Sequence, residues 1–339
     1  MTNISSTPPP EYRGQIIIPP PLLQAPPPFP PGARRPRRWV NLVLLGLTVI
    51  STIVAGTYLA HFDQDLARFW QETKYRPWVL LDGIPFSVTL LSILIAHELG
   101  HYLVSRYYRV DCSLPYFLPG PTLVGTFGAV IFMRSPIPNR KALFDIGAAG
   151  PLMGLVVAVL AAAVGLATAK PMDYIAEMDT RGMVLFAPNL LLHFLQLVIR
   201  LPGADQAGSL SPEVMPVWSS PFLDAAMVGF LVTALNLLPI GQLDGGHINY
   251  AVFGRRSIYV TGVTLAGLAV GAWFWPPWIF LAVFLLLVMG RRGFKHPPPL
   301  DLDSPLGVGR TVLAAVILLL FALIFSPVPV GVLNGGWTY

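Results

Sequence analysis

Apolar residues fall in seven runs along this chain, each closed off by charged, proline or glycine positions: residues 39–59, 83–107, 146–168, 222–240, 257–273, 277–290 and 311–325. A helix rises about 1.5 Å per residue, so a run of about 17–25 apolar residues crosses the hydrocarbon layer of a bilayer. The sixth run is short for a crossing, and a Trp- and Pro-rich turn, 273–278, of a kind suited to a membrane interface, joins it to the fifth. A further apolar stretch, 184–201, is broken by Pro188, Asn189 and His193 and predicts an interfacial or partly inserted helix. The pattern predicts an all-α polytopic membrane protein with about six to seven transmembrane helices.

Composition sharpens this reading. Apolar residues make up 54% of the 339 and charged residues 12%, whereas a soluble protein carries about 25% charged residues to coat its surface. A water-soluble globule is excluded. A single cysteine, Cys112, rules out a disulfide scaffold and any cysteine-based zinc cluster, and is read as an unpaired structural thiol. Residues 1–38 are a low-complexity, Pro-rich stretch expected to be a disordered cytoplasmic tail, which leaves 39–339 as the membrane domain. With seven crossings starting from the cytoplasm, 16 of the 22 Lys and Arg lie inside and 6 outside. Such a bias orients the N-terminus to the cytoplasm. No Arg- and Ser-rich leader precedes the first run, which points to a prokaryotic plasma membrane.

The second run contains His97-Glu98-Leu99-Gly100-His101. Residues four apart sit about 40° apart on one helix face, so both imidazoles can share a metal ion, with Glu98 beside them as a general base. From the frequencies of His and Glu in this chain the motif is expected by chance about 0.002 times. Three ionisable groups in one turn of a membrane helix are costly unless they have partners and a task. A hydrolytic metal site also needs a third protein ligand. His61 and His296 lie at span edges or in basic loops, and His193 lies on the broken apolar stretch, so none is favoured. The stronger candidates end the fourth run, where Pro239, Gly241, Gly245 and Gly246 interrupt the helix around Asp244 and His247. Spacing alone does not choose between those two. Between the second and third runs, 114–135 carries helix-breaking prolines and then a glycine-containing strand pattern, Gly125 to Met133. Irregular backbone at membrane depth must be covered by protein or line a watery cavity, which predicts a short membrane-dipping β-hairpin or strand near the metal. Gly147, Gly150 and Gly154 recur at helical spacing and are read as a close-packing face.

The HELGH segment, followed some 140 residues later by the run from Asn236 to His247, resembles the site-2 protease family of intramembrane zinc metalloproteases, in a branch without PDZ or CBS domains. Gly147 to Gly154 is similar to that family's glycine–proline motif, and Pro138 to Asp145 to the lead-in of its prokaryotic and plastid members. The resemblance implies a catalytic core of about 83–256 and one Zn2+ per chain held by His97, His101 and Asp244, which favours Asp244 over His247. It further implies Glu98 as the catalytic acid–base and Asn236 as an aid to substrate or oxyanion positioning. The expected activity is hydrolysis of peptide bonds in or near transmembrane segments of other proteins. Such a segment must unwind first, and an exposed strand edge including Gly125, Thr126, Phe127 and Gly128 is the candidate to hold it. The partners expected are transmembrane substrates and the lipid bilayer, with no nucleic acid; the oligomeric state stays open. Rivals are a CAAX-type membrane metalloprotease, whose third ligand would be a glutamate although Glu177 and Glu213 lie in the polar outer region, and a membrane metal transporter using the same residues as a transit site.

Overall fold

Long runs of Leu, Val, Ala and Ile satisfy their backbone polar groups internally only as helices, and helices dominate the computed structural model. It describes residues 38–61, 66–168, 170–171, 183–199, 218–293, 297–333 and 337–338. Nearly all of the Pro-rich stretch, together with Glu177, Glu213 and His296, lies outside the described residues.

In chain order the elements are α1 (Arg38–Ala60), α2 (Leu66–Tyr75), a 3₁₀ segment (Pro77–Gly83), α3 (Ile84–Tyr107), β1 (Tyr116–Pro119), β2 (Thr126–Val130) and α4 (Arg140–Thr168). There follow β3 (Lys170–Pro171), β4 (Met183–Phe186), α5 (Leu190–Ile199), β5 (Trp218–Ser219), α6 (Pro221–Asn236) and α7 (Asp244–Phe253). The chain continues through α8 (Ser257–Gly271), α9 (Pro277–Gly293), α10 (Val308–Ile324), β6 (Val330–Leu333) and β7 (Trp337–Thr338). Three helical stretches, Trp39–Ala60, Pro77–Tyr107 and Arg140–Thr168, are long and apolar enough to cross a membrane; α5, α6, α10 and Pro277–Leu287 of α9 are shorter apolar helices.

Helix α4 is the hub. It packs against α3, α6, α7, α5 and α10, and its Leu143, Phe144, Ala158, Ala162 and Leu166 are fully buried among Phe230, Ala226 and Ala251. On the outside, Leu42, Ile50, Val88, Val156 and Leu160 leave apolar stripes on α1, α3 and α4 open. In lipid such stripes carry no penalty. A second cluster, with Phe86, Leu90, Leu94 and Phe117, seals α1 and α3 against the hairpin. Asn41 fixes that junction by donating to the Leu114 and Pro115 carbonyls at 3.3 and 2.7 Å, and Thr52 and Ser87 share a hydroxyl pair at 2.6 Å between α1 and α3.

Several details depart from the sequence expectation. The molecule is mostly helical but not all-α. β1 and β2 form the expected antiparallel hairpin, with a register irregularity between Phe117 and Pro119, while β4 pairs antiparallel with β6 through Met183↔Leu333 to Phe186↔Val330. The start of the 184–201 stretch is therefore a strand, and only Leu190–Ile199 is helix. Its partner is some 150 residues away, and no local pattern reports a pairing of that range. The fourth run ends as helix at Asn236 rather than 240, because Pro239 and a positive φ of 53° at Gly241 turn the chain into α7.

Candidate metal centre

The site is assembled by α3, α4 and α7. On α3, His97 and His101 lie one turn apart, 4% and 5% exposed, with their rings edge-on at a centroid distance of 4.9 Å. Glu98, between them in sequence, is 5% exposed. Asp244 comes from the first turn of α7. The chain reaches it through a hairpin of backbone so tight that a Cβ on Gly246 would run into the Gly241 carbonyl, and one on Gly245 into that of Leu237. This explains the paired glycines after Asp244. The fold-back is pinned from beneath, where Asn249 Nδ2 donates to the Pro239 and Ser257 carbonyls, each at 3.1 Å, and Thr261 donates to Pro239 at 2.8 Å. The first-turn position also sets the carboxylate at the positive end of a helix dipole.

The distances converge. His97 Nε2 stands 3.1 Å from Asp244 Oδ2, His101 Nε2 3.2 Å from Asp244 Oδ1, and the two Nε2 atoms 3.2 Å from each other. Donors held at about 2.0–2.1 Å by a tetrahedral zinc stand about 3.3–3.4 Å apart. Each imidazole nitrogen meets a different oxygen of the one Asp244 carboxylate, and these spacings are within a few tenths of an ångström of those between the donors of such a site. Orientation agrees: His101 Nδ1 donates to the Ile146 carbonyl of α4 at 2.8 Å. That bond places the ring proton on Nδ1 and turns the Nε2 lone pair inward, as is usual for a metal-ligating histidine. Pro151 lies inside α4, where it has no N–H to give the carbonyl one turn earlier and loosens the helix beside the very carbonyl that receives His101. The wall behind the imidazoles is made of glycine. A Cβ on Gly150 would collide with the His101 ring, one on Gly154 would come within 3.0 Å of His97 Cβ, and on the facing helix Gly100 lies against the Ala149 carbonyl.

Other predicted residues fall as follows. Asn236, the last residue of α6, brings Nδ2 to 3.3 Å from His97 Nε2. His247 is one turn beyond Asp244, with its Cβ facing Gly147; among the described residues the only group of three donors close enough for one ion is His97, His101 and Asp244. His193 is exposed on α5, and His61 pairs with Asp82 at 3.2 Å at the far end of α1. Gly125, Thr126, Phe127 and Gly128 lie in the hairpin, whose β2 packs against α3, the helix bearing both imidazoles. Phe127 is 68% exposed, and Thr126 folds its hydroxyl back to accept from Gly128 N at 3.0 Å.

Comparison with known proteins bears on this arrangement. The model of peptidase family M50 matches residues 85–274, more than half of the chain. The chain belongs to this family, the site-2 proteases. Within the family it is 32% identical over 250 residues to a probable zinc metalloprotease of Arabidopsis thaliana, EGY1, chloroplastic, covering 73% of this chain and 43% of the relative. It is 31% identical over 305 residues to the EGY1 of Oryza sativa subsp. japonica, covering 86% of this chain and 50% of the relative. A probable zinc metalloprotease EGY3, chloroplastic, of Oryza sativa subsp. indica is 30% identical over 318 residues, covering 90% and 50%. The chain spans about half the length of these relatives. The family match holds every donor of the metal centre but stops short of α10.

Two features of the site were not foreseen from sequence. One is the Ile146 carbonyl, a backbone group that no residue type announces. The other is a charged cluster at the same end of the bundle, where Arg310 of α10 grips Asp145 of α4 through two bonds, at 2.8 and 2.7 Å, and Tyr108 donates to Asp145 at 2.5 Å. Burial, followed by the hydrogen bond to Asp145, raises the Tyr108 hydroxyl above its ordinary range. Nearby, burial pushes the Cys112 thiol up as well. This fits an inert structural thiol rather than a nucleophile.

Proposed function

We propose that this chain is an intramembrane zinc endopeptidase that hydrolyses peptide bonds in or near transmembrane segments of other proteins. The observation that carries the reading is the convergence of His97, His101 and Asp244 at 3.1–3.2 Å, with both imidazoles buried on a helix of membrane-crossing length and Asp244 half-buried beside them. The donor set is two neutral imidazoles and one carboxylate, which suits zinc and leaves a fourth position open. The relatives named as zinc metalloproteases support the same ion. When bound, zinc supplies a Lewis acid that draws the pKa of water from ~15.7 toward ~7.

The chain's own groups do the rest. His97, His101 and Asp244 hold the ion, and the Ile146 carbonyl fixes His101 in the ligating tautomer. Glu98, shielded from bulk water, accepts a proton from the attacking water as the water oxygen bonds to the peptide carbon. As the C–N bond breaks, Glu98 returns that proton to the departing nitrogen. The Asn236 amide donates to the oxygen on which negative charge develops, a role supported by its closeness to His97 Nε2. In the hairpin, β2 has β1 on one side and, among the described residues, no strand on the other. Residues Gly125 to Gly128 offer that edge to an unwound substrate segment.

The finer organisation belongs to the same proposal. It comprises a Pro-rich cytoplasmic tail at 1–38, a membrane domain at 39–339 and six to seven crossings with the N-terminus inside. The charge bias of the loops supports that orientation. The relatives carry chloroplastic names.

The decisive test is Glu98→Gln. The variant keeps the three metal donors, so zinc content by elemental analysis should match wild type. Cleavage of a transmembrane substrate in detergent or vesicles should fall by three orders of magnitude or more. Proteolysis at the wild-type rate would remove Glu98 from the mechanism, and wild-type protein free of zinc would remove the mechanism itself.

A further inference from the structure

The helix that lies beyond the family match is tied directly to the metal centre's support. Arg310 is the third residue of α10, and the first turn of a helix is where the dipole disfavours a cation. It is retained there by Asp145, which it grips at both carboxylate oxygens, 2.8 and 2.7 Å away. The third member, Tyr108, donates to Asp145 Oδ2 at 2.5 Å and lies 3.3 Å from Arg310 Nη2. Asp145 is the residue before Ile146, whose carbonyl receives His101 Nδ1 at 2.8 Å.

A second set of bonds binds the same corner. The segment leading into α10 runs alongside the entry to α4. There Leu300 N donates to Ile137 O at 3.0 Å, Asp301 N to Pro138 O at 3.1 Å and Arg140 N to Asp301 O at 3.0 Å. Arg140 in turn donates to the Val252 carbonyl at 2.7 Å and to that of Ala251, at the C-terminal end of the helix that begins with Asp244. The ends of α3, α7 and α10 therefore meet on the first two turns of α4.

We infer that Arg310 is a positioning residue for the metal centre: through Asp145 and Tyr108 it fixes the second turn of α4 so that the Ile146 carbonyl holds His101 with Nε2 turned to the metal. The inference rests on the zinc reading above. It makes the C-terminal helix part of the functional unit rather than an appendage to the family core.

The test uses full-length protein in detergent, wild type beside Arg310→Gln, with zinc affinity measured by competition against a chelator and the visible absorption of the cobalt-loaded form as a signature of ligand geometry. Removing an outer partner of a metal-ligating histidine weakens metal binding about 10–100-fold. At one remove further, Arg310→Gln is expected to lose about tenfold in affinity and to shift the cobalt bands. Unchanged affinity and an unchanged spectrum, even with a lower melting temperature, would make Arg310 a purely structural tie and overturn the inference. Tyr108→Phe removes one hydroxyl and spares the charge pair. If the Arg310 variant does not fold, a several-fold loss of affinity in Tyr108→Phe supports the positioning role and wild-type affinity defeats it. Wild-type protein that fails to bind zinc sinks the parent reading, a result that no variant can mimic.

Discussion

At Gly150 the absence of a side chain decides the site. Its Cα faces the His101 imidazole so closely that a methyl group there would occupy the same space as the ring. Neither party can yield cheaply. His101 is held from its other side by the Ile146 carbonyl, and Gly150 sits in the middle of the most extensively packed helix of the fold. Gly150→Ala is therefore expected to push His101 Nε2 off the metal and to lower zinc affinity at least tenfold, checked by equilibrium dialysis against a zinc chelator. Gly46→Ala on α1, where an added Cβ would meet nothing within 4 Å, is the control and should bind zinc as wild type does. The pairing of His97 with His101 was legible in the sequence because helix geometry alone makes residues four apart neighbours. The role of the glycines as a wall was legible only in part. Their spacing announced a close-packed face, but which side chains lay on the other side depended on how α3 and α4 dock.

At the scale of elements, most helices were readable from hydrophobic runs, and α7 was not, for a tertiary reason. Helix α7 is ten residues long and opens on Asp244, Gly245 and Gly246, residues that local propensity assigns to a turn. It exists because Asn249 and Thr261 pin its base to the Pro239 carbonyl, contacts that depend on tertiary structure. The strand Met183–Phe186 was likewise hidden by its distant partner Val330–Leu333. The hairpin was readable, since prolines and glycines rule out helix over 115–125. It also carries a functional prediction. Phe127 is the most exposed residue of β2, and proline there deletes an N–H and stiffens the backbone without touching a metal donor. Phe127→Pro should cut cleavage of a transmembrane substrate at least tenfold at unchanged zinc content, while Phe127→Ala, with its backbone intact, should keep most of the activity. Zinc lost together with activity would reassign β2 to supporting the site.

For the whole molecule, contacts join loops that the proposed seven crossings put on one side of the membrane. Counting Lys and Arg assigns the 106–141 loop, Arg255 with Arg256, and Arg310 to one side of the membrane. The structure brings these same regions together at one end of the bundle, through Arg310 on Asp145 and Arg140 on the last carbonyls of α7. Arg76, by contrast, stands just before the 3₁₀ segment that leads into α3, so the long apolar stretch Pro77–Tyr107 separates it from that end. The metal donors His97 and His101 lie nearer the Arg106 end of that stretch, roughly 14 and 8 Å from Arg106 along the helix axis by a rise of about 1.5 Å per residue. Under the proposed function, substrate would meet the metal centre at a depth closer to the basic face. Because the sequence has a single cysteine, Cys112, a Cys112→Ser background allows each side to be probed separately. In that background, Arg76→Cys should react in intact cells with a maleimide that cannot cross membranes, and Arg255→Cys should react only after permeabilisation. The reverse pattern would invert the orientation and open the zinc toward the opposite compartment. Equal labelling of both from outside would mean that Pro77–Tyr107 does not separate the two faces, and the site would then be a surface cleft instead of a membrane-embedded one.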